Sequence, residues 1–445
     1  MNPSARIQAA LDLLIEIDET PRPADALVSS YFRARRYIGS KDRAAIANMV
    51  YDVLRHHGRL SWWLEKNETK NLPRARLLTY LTLVEEKELK HIGELFDGAK
   101  FAPEPLEEEE RILLRKLKGH TTEHPSMPDE VKVECPPWAA ESLKKRFGQK
   151  FMTEMLVTLK QAPLDLRVNS LKAEREKILE ELKSLAIKAK ACVLSPFGIR
   201  VHERPSLNAL PMLKNGFVEI QDEGSQLVAL LVDAKPGHRV VDFCAGAGGK
   251  TLAIAAQMKN KGKIIACDVL EKRLKRSTER FRRAGLHNIE VKPLKDERDP
   301  WVKKHKGDFD RVLVDAPCSG VGTWRRNPDA RWRSLGPGLE NLLPLQASIL
   351  ESASRLVKAK GGRLIYATCS MLPEENEEQV EKFLAAHPEF KLVPYDKVWT
   401  ENPTSTHKDY LSLTPAQHNT DGFFAAVMEN TAEPKEPKSK EKKPD

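Results

Sequence analysis

The sequence predicts an α/β protein, an open, doubly wound and mostly parallel sheet preceded by two smaller domains. Between 216 and 428, short apolar runs alternate with helical patterns, as in a series of βαβ units. Two of the runs, Val312-Leu-Val-Asp315 and Leu364-Ile-Tyr-Ala-Thr368, are apolar at nearly every position, as strands buried on both faces are. Each run ends in a loop that carries a cysteine, Cys318 or Cys369, and Pro317 bars further ladder pairing after the first. Loops past the carboxyl ends of such strands are where open α/β sheets bind ligands.

The chain has 445 residues, enough for two to three domains with ample core. Apolar residues make up 40% and no uninterrupted apolar run approaches the length of a membrane span, so none is expected. The start, Met-Asn-Pro-Ser-Ala-Arg, lacks the apolar core of a signal peptide. The cysteines at 135, 192, 244, 267, 318 and 369 include no Cys-x-x-Cys pair. That usage points to a reducing, cytoplasmic location with no disulfide framework and no metal site. The net charge of +9 favours a polyanion partner.

Taken in order, residues 1–125 read as helical. Ile7, Leu11, Leu14 and Ile15 keep helical spacing, and Ile46, Met49, Val50, Val53 and Leu54 repeat it behind Ser40, a good N-cap. Basic residues interleave with aromatics in Tyr31-Phe-Arg-Ala-Arg35-Arg36-Tyr37, which suits a solvated face or RNA equally. Asn48-Met-Val-Tyr51-Asp-Val-Leu54-Arg55 resembles the antitermination-factor-like (NusB-like) helical domain, which often binds RNA. A linker over 120–137 precedes a helix that opens at Pro136-Pro137-Trp138 and closes at Gly148.

Strands at 164–169, 188–193 and 198–201 around a helix at 174–185 suit a small ferredoxin-like α+β domain over 126–210. Arg167 and Asn169 on its first strand could meet a nucleic-acid backbone or be edge-strand polar residues. The main domain is expected over 211–430. The last residues, 431–445, mix Lys, Glu and Pro and should be disordered.

Inside the main domain, Arg239-Val-Val-Asp242-Phe243 is a strand followed by Cys244-Ala245-Gly246-Ala247-Gly248-Gly249-Lys250-Thr251 and a helix. Glycines at a strand-to-helix turn let backbone approach a ligand closely. A phosphate loop would need Gly at 244, where Cys stands, so the match to Gly-Lys-Thr fails. The next strand ends in Asp268, placed for a pair of ribose hydroxyls. Asp296, past the third strand, is placed for an adenine amino group, and Asp315 ends the fourth. A glycine loop and acids in this order describe a nucleoside cofactor without a pyrophosphate, and S-adenosylmethionine fits. After Cys318, glycine, Trp324, Arg325, Arg326, Arg331 and Trp332 mix in one loop, which suits phosphate contact and base stacking.

Asp315-Ala-Pro-Cys318-Ser-Gly, Thr368-Cys369-Ser370, Ala245-Gly246-Ala-Gly248-Gly249-Lys250-Thr and Asp421-Gly-Phe-Phe424 together resemble the Sun/Fmu (Nop/Sun) family of RNA cytosine-C5 methyltransferases. The likeness covers about 135–430 and departs at Ala247, where many members have Pro. It implies a Rossmann-like class I S-adenosylmethionine methyltransferase domain acting on 16S ribosomal RNA; the protein is expected to be a monomer. It further implies that Cys369 attacks C6 of cytosine, Asp315 stabilises the adduct near N3, and Cys318 serves product release. Lys250 would either favour the thiolate or orient the cofactor carboxylate.

Other functions predict other residues. A DNA cytosine methyltransferase would pair the Pro-Cys thiol with Glu-Asn-Val, which is absent. A non-catalytic ribosome-assembly factor has no use for two strand-end cysteines. A small-molecule methyltransferase does not explain the basic front half, and transfer RNA is the alternative substrate.

Overall fold

The computed structural model describes residues 1–202, 210–333, 335–399 and 407–433. The tail expected from 431 lies, from 434 onward, outside the described residues. The chain forms two compact units, one of 1–161 with 323–338 and the other of 162–322 with the chain from 339 onward.

The first unit is helical. Its helices include Pro3–Glu19, Ala24–Ala34, Ser40–Arg55, His57–Lys66 and Pro73–Leu83. Leu13, Leu14, Ile17, Leu27, Ile46, Val50 and Leu77 bury their side chains in one core, at the spacing the sequence pattern requires. Ser40 is the first helical residue and Gly39 holds the cap position, one residue before the expected one. The 120–137 stretch is not all linker, because Asp129–Lys132 forms a helical turn. Past it, Glu134 is fully buried, and its carboxylate accepts the Gly58 and Arg59 backbone N–H groups and Arg59 Nε.

Residues 323–338, which follow the Cys318 loop in sequence, belong to this helical unit. Trp324 is fully buried and meets Trp138 edge to face. Arg331 lies over the Trp324 ring and donates to the Glu134 and Thr158 carbonyls and to Thr158 Oγ1.

The second unit holds two sheets. Strands β1 (Leu164–Val168), β2 (Ala189–Ala191), β3 (Gly198–Val201) and β4 (Val218–Ile220) form a small antiparallel sheet ordered β2-β3-β1-β4. β4 falls within the 211–430 stretch expected for the main domain, but it pairs with β1, Leu166 opposite Ile220. The small sheet therefore reaches past 210. Glu219 on β4 is held by Arg280 and Arg283 of the helix Glu271–Ala284, which accounts for a buried acid in so short a strand.

The large sheet contains β5 (Arg239–Asp242), β6 (Lys263–Asp268), β7 (Ile289–Pro293), β8 (Arg311–Asp315), β9 (Gly362–Thr368), β10 (Phe390–Val393), β11 (Leu411–Leu413) and β12 (Phe423–Asn430). Its order is β10-β12-β9-β8-β5-β6-β7, with β11 also on β12. β7, β6, β5, β8 and β9 are parallel, and β12 runs against its neighbours. Helices Glu223–Leu231 and Gly249–Gln257 cover one face through Leu227, Leu252 and Ile254. Helices Leu339–Ser354 and Glu377–Ala386 cover the other through Ile349, Leu350 and Val380.

From β5 the chain winds one way to β6 and β7, then returns to β8 and winds the other way to β9. The direction of winding reverses between β5 and β8, which opens a crevice at their carboxyl ends. β8 and β9 run in register to their ends, Asp315 opposite Ala367, so the two cysteine loops leave the sheet side by side.

Candidate active site

The 244–250 loop leaves β5 at the reversal point. Gly246 and Gly248 have φ of 56° and 77°, backbone that a side chain would strain. A Cβ on Gly248 would stand 2.6 Å from the Phe281 ring, so the loop is pressed onto the neighbouring helix. Below the loop, Asp242 is buried and accepts a hydrogen bond from Thr251 Oγ1 at 2.7 Å. Burial pushes its carboxyl up to about 7, against the hydrogen bond that favours the anion.

Asp268, at the end of β6, accepts the Gly246 N–H on Oδ2 and the Leu270 N–H on Oδ1, each at 2.7 Å. A carboxylate has about four acceptor sites, so capacity remains for ribose hydroxyls. Asp296 is exposed past β7, with Arg298 N–H on its Oδ1. These groups line a cavity of about 650 Å³ together with Phe243, Leu294, Val269, Leu270, Asp315, Cys318 and Cys369. Apolar side chains for a flat base, an acid for a diol and a glycine backbone free of Cβ atoms fit S-adenosylmethionine.

On the cavity wall Lys250 Nζ donates to Asp315 Oδ2 at 2.7 Å. Burial alone would lower the Lys250 ammonium, but the Asp315 charge and hydrogen bond outweigh it and hold it above its usual value. Cys318 Sγ and Cys369 Sγ are 3.4 Å apart. The hydrogen bond with Cys369, reinforced by burial, pushes the Cys318 thiol well up and favours its protonated form. The structure thus brings together Cys369, Cys318, Asp315, Lys250 and the 244–250 loop, with Asp268 and Asp296 farther along the cavity wall.

Two of the residues expected to meet RNA do not face solvent. Arg325 is 2% exposed inside the helical unit. Arg167 is 5% exposed, donates to Gln221 and to the Gly249 carbonyl, and is lowered to about 10 by burial. Both are corrected from phosphate contacts to internal groups. An arginine in a strand carries the same letter whether it faces water or braces a loop. Arg326 remains half-exposed.

Two residues escaped the sequence reading. Glu375 and Asn376 stand in the acidic run 374–378 just before the helix Glu377–Ala386, yet both are fully buried beside the cysteine loops. The one signal was an Asn set inside the acidic run 374–378.

A family model described as 16S rRNA methyltransferase RsmB/F matches residues 229–429, and the ferredoxin-like domain model of that family matches 135–208. A probable ribosomal RNA small subunit methyltransferase B of Synechocystis is 33% identical over 359 residues, covering 80% of this chain and 78% of that protein. The ribosomal RNA small subunit methyltransferase B of Vibrio vulnificus is 30% identical over 94% of this chain and 98% of its own length. The chain belongs to the RsmB/F methyltransferase family.

This RsmB/F chain is also similar to the crystal structure of PH0851, at 26% identity and a TM-score of 0.79 over 97% of this chain and 99% of that one. RsmB/F proteins are S-adenosylmethionine-dependent, in agreement with the cavity chemistry. The fold classes expected from the sequence, a Rossmann-like methyltransferase domain with a ferredoxin-like domain and a helical region before it, stand. Among the described residues no helix is long and apolar enough to cross a membrane.

Proposed function

We propose that this protein methylates C5 of a cytosine in 16S ribosomal RNA through a covalent bond between Cys369 and C6 of the base. The observation that carries this reading is the thiol pair, 3.4 Å apart, lining the same cavity as the glycine loop and Asp268. C5 of cytosine is a poor nucleophile, and addition of a thiolate at C6 makes it enamine-like. The bound cofactor supplies an electrophilic methyl group. The Lys250–Asp315 pair holds a proton against N3 as charge builds there, at a site already arranged for it.

The two thiols act in turn. Cys369 gives its electron pair to C6 and becomes a thioether. Cys318 then loses the hydrogen bond that contributes most to keeping it protonated. Cys318 gives its proton to solvent and, as the thiolate, takes the C5 proton; the C5–H electrons re-form the C5–C6 double bond and Cys369 leaves as thiolate. RNA is held by Arg326 and by the cluster Arg33, Arg35 and Arg36, where Arg33 and Arg36 are exposed and Arg35 lies over the Tyr31 ring.

Denaturing gels with labelled 16S RNA test the assignment. Cys369→Ala should abolish turnover and leave no protein–RNA adduct. Cys318→Ala should still attack and methylate, so a denaturation-resistant adduct accumulates. Adduct with Cys369→Ala and none with Cys318→Ala would reverse the roles. Bisulfite sequencing of RNA methylated by the enzyme would show which cytosine reacts, and a signal confined to transfer RNA would move the substrate there.

A further inference from the structure

Glu375 and Asn376 are consecutive, fully buried, and take no part in the chemistry above. Each is bonded to the loop of a different cysteine. Glu375 Oε1 accepts Ser319 N–H at 2.8 Å and Gln346 Nε2 at 3.0 Å, and its Oε2 accepts Ser319 Oγ at 2.5 Å. Gln346 Nε2 also donates to the Pro317 carbonyl at 3.0 Å. Both neighbours of Cys318 are therefore held by one carboxylate, directly or through Gln346. Asn376 Oδ1 accepts Thr368 Oγ1 at 2.5 Å, and its Nδ2 donates to the Ser370 carbonyl at 3.1 Å. Both neighbours of Cys369 are held by one amide.

Neither side chain does what its place in the chain would lead one to expect. Asn376 occupies the N-cap of the helix Glu377–Ala386, but its side chain makes no capping hydrogen bond. Glu375 makes no ion pair among the described residues, and its buried charge is met by neutral donors alone. Burying a carboxylate without a cation is costly, and a cap left unmade forgoes stabilisation of the helix start. Tyr366 of β9 donates to the Glu375 carbonyl at 2.7 Å, which fixes the pair to the strand that ends in Cys369.

We infer that Glu375 and Asn376 form a two-residue clamp that sets the positions of the thiols, Glu375 for Cys318 and Asn376 for Cys369. They are positioning residues, since neither lines the cavity. The inference deepens the thiol roles proposed above and rests on them only for its catalytic phenotype. The spacing of the two sulfurs depends on the clamp whatever each thiol does.

Two readouts follow. Glu375→Ala should free the Pro317–Ser319 loop, slow removal of the C5 proton and accumulate adduct, as Cys318→Ala does. Asn376→Ala should free Cys369, slow attack and leave no adduct. In both, kcat should fall by about 10²-fold, the cost of an ångström-scale misplacement. Isosteric variants guard against loss of folding. Glu375→Gln keeps an oxygen for Ser319 N–H and Gln346 and should recover most of kcat. Asn376→Asp sets a carboxylate oxygen against the Ser370 carbonyl and should not. Calorimetry with S-adenosylmethionine should give nearly unchanged affinity in all four, since the 244–250 loop, Asp268 and Asp296 keep their contacts.

The second readout needs no catalysis. Diamide takes two electrons and two protons from a close thiol pair, so the wild-type protein should form a Cys318–Cys369 disulfide, mapped by mass spectrometry. Either alanine variant should lose that rapid cross-link and Glu375→Gln should keep it. If Cys318→Ala itself fails to trap RNA while the cross-link is lost as expected, the thiol roles fall and the clamp stands. An alanine variant that cross-links at the wild-type rate, or identical gel phenotypes from Glu375→Ala and Asn376→Ala beside correctly behaving cysteine variants, overturns the clamp.

Discussion

The Lys250 ammonium stands 2.7 Å from Asp315 Oδ2, joining the first turn of the helix after the glycine loop to the end of β8. The glycine loop and the end of β8 are thus joined by one ion pair, with Lys250 only 10% exposed. We propose, on the thiol reading above, that Lys250 serves the base through Asp315.

Replacing Lys250 with Met should therefore act on chemistry more than on cofactor affinity. The Asp315 charge would lose its partner, and kcat should fall by about 10²-fold or more, the usual worth of a positioned proton-transfer group. Because the lysine is held above its ordinary value, its titration contributes no loss of activity below the usual lysine range. A pH–rate profile in which Lys250→Met removes a limb near neutral pH would contradict this.

Asp268 lines the same cavity. Asp268→Ala should weaken S-adenosylmethionine binding by about 1–3 kcal/mol, through lost charge-assisted hydrogen bonds and a loosened Gly246. Asp268→Asn keeps one acceptor and should lose less. Isothermal calorimetry decides it, and equal affinity for all three proteins would remove Asp268 from the site.

The strands and the acids at their ends could be read from the sequence because their signals are local. A buried parallel strand is a run of apolar residues, and an acid or thiol at its end needs no partner to be noticed. The thiol pair was visible for that reason. What hid were residues whose role depends on where distant chain segments meet. Arg167 and Glu219 sit in short strands, and their burial follows from contacts with 249 and with 280–283. Arg325 lies in a loop whose composition suits RNA, yet 323–338 packs within the helical unit. Glu375 and Asn376 share a helix-start pattern with any exposed acidic turn. Composition reports the chemistry of a side chain and leaves its surroundings open.

Asp242 gives a pH dependence with a definite sign. Its carboxyl is raised to about 7 in the folded protein, against 3.8 ordinarily. The folded state thus binds more protons than the unfolded state between those values, and stability falls as pH rises through that window. Asp242→Asn removes the titration. Its stability relative to wild type should rise between pH 4 and 8 by on the order of 2–4 kcal/mol, since each pH unit of that window is worth about 1.4 kcal/mol. Urea denaturation of the cofactor-free protein at several pH values measures this, and a constant difference would refute the raised carboxyl.

The last prediction separates arginines that hold the protein together from arginines that hold RNA. Arg331 is buried and makes three hydrogen bonds to Glu134 and Thr158. Arg331→Ala should destabilise the protein by on the order of 3 kcal/mol, about 1 kcal/mol for each bond lost. In protein that remains folded, the salt dependence of RNA binding should be unchanged. Arg33 and Arg36 are exposed and beside Phe32, with no carboxylate bonded to either among the described residues. Arg33→Ala and Arg36→Ala should leave the denaturation midpoint in place. Each should lower the slope of log affinity against log salt by about 0.7, the value for one single-stranded phosphate contact released. Filter binding across a salt series, with denaturation run in parallel, reads both quantities. A slope that responds to Arg331→Ala and not to Arg33→Ala would mean that RNA opens the 323–338 segment and binds what the folded chain keeps inside.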